Sequence, residues 1–136
     1  MTQFFRRLTI IFSAGAFGGL INSIALWALG ELKVTAALGV KLAPNFTPAW
    51  LYPRIVWGGL WGILFLIPLF RGSSIKRGFL LSLGPTLVQL LIVFPQKAHK
   101  GIMGLDLGTM TPLIVVVLNA VWGIAAAYWL RGIGEE

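Results

Sequence analysis

Four long runs of apolar residues, separated by short polar and charged stretches, dominate this chain. At about 1.5 Å per residue, some 20 residues of helix cross the roughly 30 Å hydrocarbon core of a bilayer. The runs therefore predict four transmembrane helices, at residues 8–29, 51–70, 78–94 and 110–130. The fold that we expect is all-α, a bundle of four transmembrane helices that forms a single transmembrane domain over residues 1–136.

The three connections differ in character. Residues 31–53 are too polar to span and too apolar for a plain linker. Their first part, ELKVTAALGVKL, predicts a short interfacial helix or loop. RGSSIKR, residues 71–77, predicts a tight antiparallel hairpin of the second and third helices. The glycine-rich stretch from Pro95 to Pro112 predicts an irregular loop, and Pro85 predicts a kink in the third helix.

Composition agrees with a lipid environment. The chain is 57% apolar and 11% charged, whereas soluble domains carry about 25% charged residues. It has no cysteine, which excludes disulfides, thiolate metal sites and cysteine nucleophiles. The formal net charge of +7 comes from lysines and arginines that flank the apolar runs without forming a basic stripe. The partners expected are therefore membrane lipids and no nucleic acid.

The distribution of basic residues predicts an orientation. Six lie on the side of the two termini, namely Arg6, Arg7, Arg71, Lys76, Arg77 and Arg131. Five lie on the other side, namely Lys33, Lys41, Arg54, Lys97 and Lys100. The six are concentrated in short segments, so the positive-inside rule favours both termini in the cytoplasm.

Small residues recur at helical spacing along the predicted helices. Glycines of this kind let a second helix approach closely, which supplies packing where lipid provides no hydrophobic drive. The helix-packing candidates are Gly15, Gly19, Gly58, Gly62 and Gly123. They favour a noncatalytic packing or accessory subunit that associates with itself or with another membrane protein.

Amide and hydroxyl side chains form a second pattern inside the predicted helices. Ser82, Thr86 and Gln89 share one helix face, and Asn22 and Asn119 are the other buried amides. Either they hydrogen-bond between helices, or they line a polar cavity for a small solute. The second interpretation supports an alternative function, a small oligomeric transporter or channel for a small solute or anion. The absence of ionisable residues deep within the predicted helices argues against proton coupling.

Basic side chains at the helix mouths form a third pattern. Arg54, Lys97 and Lys100 are candidates for binding an anion or a lipid head group. His99 and Asp106 lie in the same loop region, but two such side chains are too few for an active site and lack metal-ligand spacing. We therefore expect no enzyme activity, no metal and no cofactor.

The second half of the chain resembles the YagU family of small bacterial inner-membrane proteins. The resemblance rests on RGFLLSLGPTLVQLLIVFP, a glutamine followed by Phe94 and Pro95, then a glycine-rich loop and a tryptophan-rich last span. It implies a bacterial inner-membrane location. No functional residue is carried over from it.

Overall fold

The computed structural model describes residues 2–134. Its regular elements are all helical and, in chain order, are α1 (Thr2–Glu31), α2 (Val34–Ala37), α3 (Pro48–Trp61) with a 3₁₀ extension (Gly62–Leu66), α4 (Ser74–Val88) with a π-helical extension (Gln89–Lys97), a 3₁₀ helix (Ile102–Leu107) and α5 (Thr111–Gly132). Four segments are long and apolar enough to cross a membrane: Thr2–Glu31, Pro48–Leu66, Ser74–Lys97 and Thr111–Gly132, the first to fourth spans. The predicted all-α bundle is confirmed.

Capping residues explain where two of the spans begin. The Thr47 side chain accepts a hydrogen bond from the backbone N–H of Trp50 at 3.2 Å, and Pro48 occupies the first helical turn. Ser73 accepts from the N–H of Lys76 at 3.3 Å. Both helices therefore start three or four residues before the apolar runs at 51–70 and 78–94. The second span ends at Leu66, ahead of Pro68, which cannot continue a helix.

Close helix contacts set the order of the bundle. The most extensive contacts join α3 to α1, α1 to α5 and α5 to α4. The prediction of a tight hairpin between the second and third spans is wrong, because α4 packs along α5 instead. Gly78 of α4 meets Gly123 of α5 so closely that a Cβ on either would collide with the other's backbone. The second and third spans approach around Leu64 and Gly84, and where Arg77 contacts Phe65, whereas toward the loop end a groove separates them.

The two longer connections pack on each other at one end of the bundle, called here the loop end. The backbone N–H of Lys41 donates to the carbonyl of Leu107 at 2.9 Å, and Thr35 donates from its hydroxyl to the carbonyl of Leu42 at 2.7 Å. Gly104 lies against the Phe94 ring with a φ of +70°. The short helix expected in the first connection is present as α2. The opposite end of the bundle holds residues 67–73, the N-terminal end of α1 and the C-terminal end of α5.

The third span changes its helical type partway along. It stays α-helical through Pro85 and becomes π-helical at Gln89, with the N–H of Ala98 donating to the carbonyl of Val93, five residues back, at 2.8 Å. The change of helical type thus begins one turn after Pro85, where the sequence predicted a kink. π-Helical segments occur frequently at functional sites.

Within the candidate membrane spans, the side chains of Arg54 and Arg77 each contact a neighbouring span. Arg54 is the seventh residue of α3, and Arg77 is the fourth of α4 and 1% exposed. Arg77 donates from Nη2 to the carbonyl of Phe65 at 2.7 Å, with its guanidinium 5.2 Å from the centre of the Phe65 ring. Arg77 lies inside the third span because α4 begins four residues before the predicted apolar run, and both arginines stand near the ends of their spans.

Candidate functional site

The side chain of Arg54 is held between α3 and α1. Its Nε donates to Ser23 Oγ at 2.8 Å, and its Nη2 donates to Asn22 Oδ1 at 2.6 Å. Gly19, one turn earlier on α1, makes this approach possible, since a Cβ there would lie 2.8 Å from the Arg54 carbonyl oxygen. The small residues of α1 therefore bring a cation into contact with polar groups that lie 31 and 32 residues away in sequence.

Every contact of the Arg54 guanidinium that the structure records is with a neutral group. Besides Ser23 and Asn22, its Cζ lies 4.9 Å from the centre of the Trp50 ring, a cation–π arrangement. Within residues 2–134, no carboxylate forms an ion pair with it. Asn22 in turn donates to the carbonyl of Leu118 on α5 at 2.6 Å, which fixes the amide that orients the arginine.

A second polar group joins α5 to the third span. Asn119 donates from Nδ2 to Thr86 Oγ1 at 3.1 Å and to Gln89 Oε1 at 3.3 Å. Thr86 donates to the carbonyl of Ser82 at 2.8 Å. Gln89 stands where α geometry gives way to π geometry, and its oxygen accepts from Asn119, so its amide nitrogen remains as a donor.

Two adjoining cavities meet at these polar groups and share Asn22, Arg54, Gln89 and Asn119 in their linings. The first, called the mouth cavity, has about 370 Å³ and lies under the loop end, beside Lys41, Pro44 and Phe94. The second, called the lateral groove, has about 510 Å³ and lies between the second and third spans. Its walls include Trp57, Trp61, Pro85, Val88 and Ile92, with Lys97 at one end.

The charge of the combined cavity is positive. Lys41 lines the mouth cavity, Lys97 lines the lateral groove, and Arg54 lines both. Neither lining contains an aspartate or a glutamate among the described residues. An anion would therefore meet three cations and the Gln89 amide, in a volume within the 300–1,000 Å³ typical of ligand pockets.

The structure brings together two sets of residues that the sequence treated separately. The two cavities are lined by Asn22, Gln89 and Asn119 together with Arg54 and Lys97. Thr86 accepts a hydrogen bond from Asn119. The three amides hydrogen-bond between helices and also line a cavity, so the two alternatives that the sequence left open for them do not exclude each other. Two candidates lie outside it. Ser82 is buried and donates to the carbonyl of Phe79 within its own helix, and Lys100 is exposed outside both cavities.

The glycine candidates lie at contacts within the chain. Gly15 and Gly19 of α1 face Gly58 and Gly62 of the second span, backbone against backbone, and Gly123 faces Gly78. Trp122 reinforces the first contact, since its Nε1 donates to the carbonyls of Gly15 at 3.0 Å and Gly58 at 3.3 Å. These faces are therefore occupied by the protein's own helices.

Several residues of the site were not singled out from the sequence. Taken singly, Ser23, Lys41 and Trp50 have no distinguishing pattern in the sequence. Trp57 and Trp61 line the lateral groove. The sequence did contain a signal, because three of the six tryptophans of the chain lie close together, between residues 50 and 61.

Comparison of the chain with family models, curated proteins and solved structures finds no match. The geometry of the site is thus the basis for assigning a function.

Proposed function

We propose that this small integral membrane protein is a noncatalytic binding protein for an anionic group, which it holds in the cavity around Arg54. The observation that carries the proposal is a guanidinium inside a membrane-spanning helix whose recorded contacts, to Ser23, Asn22 and Trp50, are all neutral. A cation in a low-dielectric setting is costly unless it is paired. A bound anion would supply the missing charge.

The surroundings of Arg54 support the same assignment. Lys41 and Lys97 add positive potential, and no lining carboxylate among the described residues competes for the guanidinium. Asn22 and Ser23 take up two of its donors and fix its plane, which leaves the remaining guanidinium donors for a ligand. Nothing in the set resembles a nucleophile with an adjacent base, so binding rather than catalysis is the activity that we propose.

Iodide quenching of tryptophan fluorescence tests this proposal, because iodide is an anion and the Trp50 ring lies beside Arg54. The delipidated protein in a neutral detergent is titrated at constant ionic strength. We expect Arg54→Gln to lower the Stern–Volmer constant for iodide, because it removes the cation that concentrates iodide beside the Trp50 ring. Quenching by neutral acrylamide should not change.

Lys100→Gln is the matched control, as it removes a cation at the same end of the bundle but outside both cavities. It should quench like the original protein. Equal iodide quenching of the Arg54→Gln and Lys100→Gln proteins would overturn the proposal.

The oligomeric and transport roles stay predictions. The glycine faces that suggested an accessory subunit are occupied within the chain. A path across the bundle would have to pass an apolar cluster that includes Ile11, Phe65 and Leu81. We retain the bacterial inner membrane and cytoplasmic termini as part of the proposal, which puts the mouth cavity on the outer side.

A further inference from the structure

We infer that the anionic group belongs to a phospholipid, whose phosphate binds Arg54 and Lys97 and whose acyl chain lies in the lateral groove between the second and third spans. This inference rests on the proposed function and specifies its ligand. It follows from the order in which charged and apolar residues line the groove.

Polarity in the lateral groove changes along the direction of the spans. Arg54 and Lys97 lie toward the loop end, where the second span begins and the third ends. Further along, Trp57 faces the groove from one side and Val88 from the other, and Trp61 and Pro85 line the part of the groove farthest from the loop end. A phospholipid in one leaflet has the same order, with its charged head group outside and its hydrocarbon inside.

The depth of Arg54 suits a lipid phosphate. Arg54 follows the start of the second span by six residues, which is about 9 Å along a helix. The interfacial region on each side of the hydrocarbon core is about 5–7 Å thick, so Arg54 lies just inside the hydrocarbon, within reach of a phosphate at its boundary. Trp50 and Tyr52 near the start of the same span are the aromatic residues typical of that level.

The walls of the groove suit a hydrocarbon chain better than a free ion. Beyond the four polar residues shared with the mouth cavity and Lys97, the walls are formed mainly by tryptophan, proline and aliphatic side chains. Trp57 and Ile92 are 62% and 44% exposed, so the protein itself leaves this seam open toward the bilayer. Pro53 to Trp61 corresponds to about 12 Å of helix, along which an acyl chain can lie.

The mouth cavity provides room for the rest of the head group. It adjoins the groove at Arg54 and extends about 370 Å³ under the loop end toward Lys41. A glycerol-type head group attached to the phosphate would fit in the mouth cavity and remain in contact with its polar side chains. A quaternary ammonium group would instead be placed among cations, which favours lipids with net negative charge.

Native mass spectrometry of the delipidated protein in a neutral detergent tests the inference. The probes are phosphatidylglycerol and phosphatidylcholine with identical acyl chains, added separately. We expect at least about tenfold tighter binding of phosphatidylglycerol, the scale of one hydrogen-bonded charge contact. Arg54→Gln should remove this preference, and Lys97→Gln, at an exposed position, should reduce it even where the first variant folds poorly.

A blocking substitution separates the lipid from a free anion. Val88→Trp fills the groove, whereas Val117→Trp places the same side chain on the exposed face of α5 outside both cavities. We expect Val88→Trp to weaken phosphatidylglycerol binding about tenfold and Val117→Trp to leave it unchanged, while adding Arg54→Gln to either variant should still lower iodide quenching. Circular dichroism and the unfolding temperature show whether each variant is folded.

Two results would overturn the inference. Equal binding of both lipids, or phosphatidylglycerol binding that Val88→Trp does not affect, would exclude the lateral groove as a lipid site. If Arg54→Gln still lowered iodide quenching in the Val88→Trp protein, the proposed anion-binding function would still be supported. If Arg54→Gln did not change iodide quenching at all, both the proposed function and the lipid inference would be overturned.

Discussion

Trp122 joins three helices through one side chain. It is 4% exposed, its indole N–H reaches the carbonyls of Gly15 on α1 and Gly58 on α3, and its ring lies 5.9 Å from that of Phe65. Helix carbonyls already accept within their own helix, so the indole adds a second hydrogen bond to each. The contribution of this N–H is therefore modest, whereas the ring fills the core.

We expect Trp122→Phe to lower the free energy of unfolding by about 1 kcal/mol, because it removes the donor and keeps an aromatic ring. Trp122→Ala should cost about 3–5 kcal/mol through the cavity that it leaves. Unfolding in a mixed detergent series measures both values. Trp129→Phe is the control, since Trp129 is 39% exposed and stacks on Phe17; a loss there as large as in Trp122→Phe would contradict the assignment.

Individual residues also show what the sequence could reveal about the site. The sequence indicated Asn22, Gln89 and Asn119 because unpaired amide groups are costly in hydrocarbon. It indicated Arg54 because basic side chains at the helix mouths can bind an anion or a lipid head group. Their joining into one cavity was not predictable, because Arg54 and its partner Asn22 lie on different helices, 32 residues apart. Pairing between helices depends on which faces meet, and apolar periodicity does not specify this.

At the level of elements, glycine determines which helices are neighbours. α1 and α3 contact each other at Gly15, Gly19, Gly58 and Gly62, where backbones meet without intervening side chains. The sequence identified these positions but not their partners. Its short linker predicted that the second and third spans pack together, but a short linker limits only the distance between two helix ends. The close contact between Gly78 and Gly123 places α4 against α5 instead.

Gly58→Ala should separate α1 from α3. A Cβ at Gly58 would lie 2.8 Å from the Gly15 carbonyl oxygen and 2.9 Å from the Gly19 Cα, both backbone atoms that cannot turn aside. We expect the free energy of unfolding to fall by about 1–3 kcal/mol, the usual range for overpacking. Gly132→Ala, in a helix with nothing within 4 Å of the added carbon, should be neutral or slightly stabilising. Equal unfolding temperatures for the two variants would refute the contact.

At the level of the whole molecule, four spans place Asn45 and Gly72 at opposite ends of the bundle. The chain has no cysteine, so Asn45→Cys and Gly72→Cys each introduce a single reactive thiol at an exposed position. With cytoplasmic termini, a membrane-impermeant maleimide added to intact spheroplasts should label Asn45→Cys and spare Gly72→Cys. Both should react after lysis. The reverse pattern in spheroplasts would invert the proposed orientation.

The position of Arg54 along its span determines how much of the transmembrane electric field a bound anion would cross. Arg54 follows the start of its 19-residue span by about 9 Å, of which about 5–7 Å is interfacial, so a monovalent anion arriving from the loop end crosses about a tenth of the hydrocarbon core. Moving one charge across the whole membrane costs about 2.3 kcal/mol per 100 mV, so this fraction corresponds to about 0.2 kcal/mol, or roughly a 1.5-fold change in affinity. With the loop end outside and a negative interior, hyperpolarisation would weaken anion binding, and de-energised membranes would strengthen it.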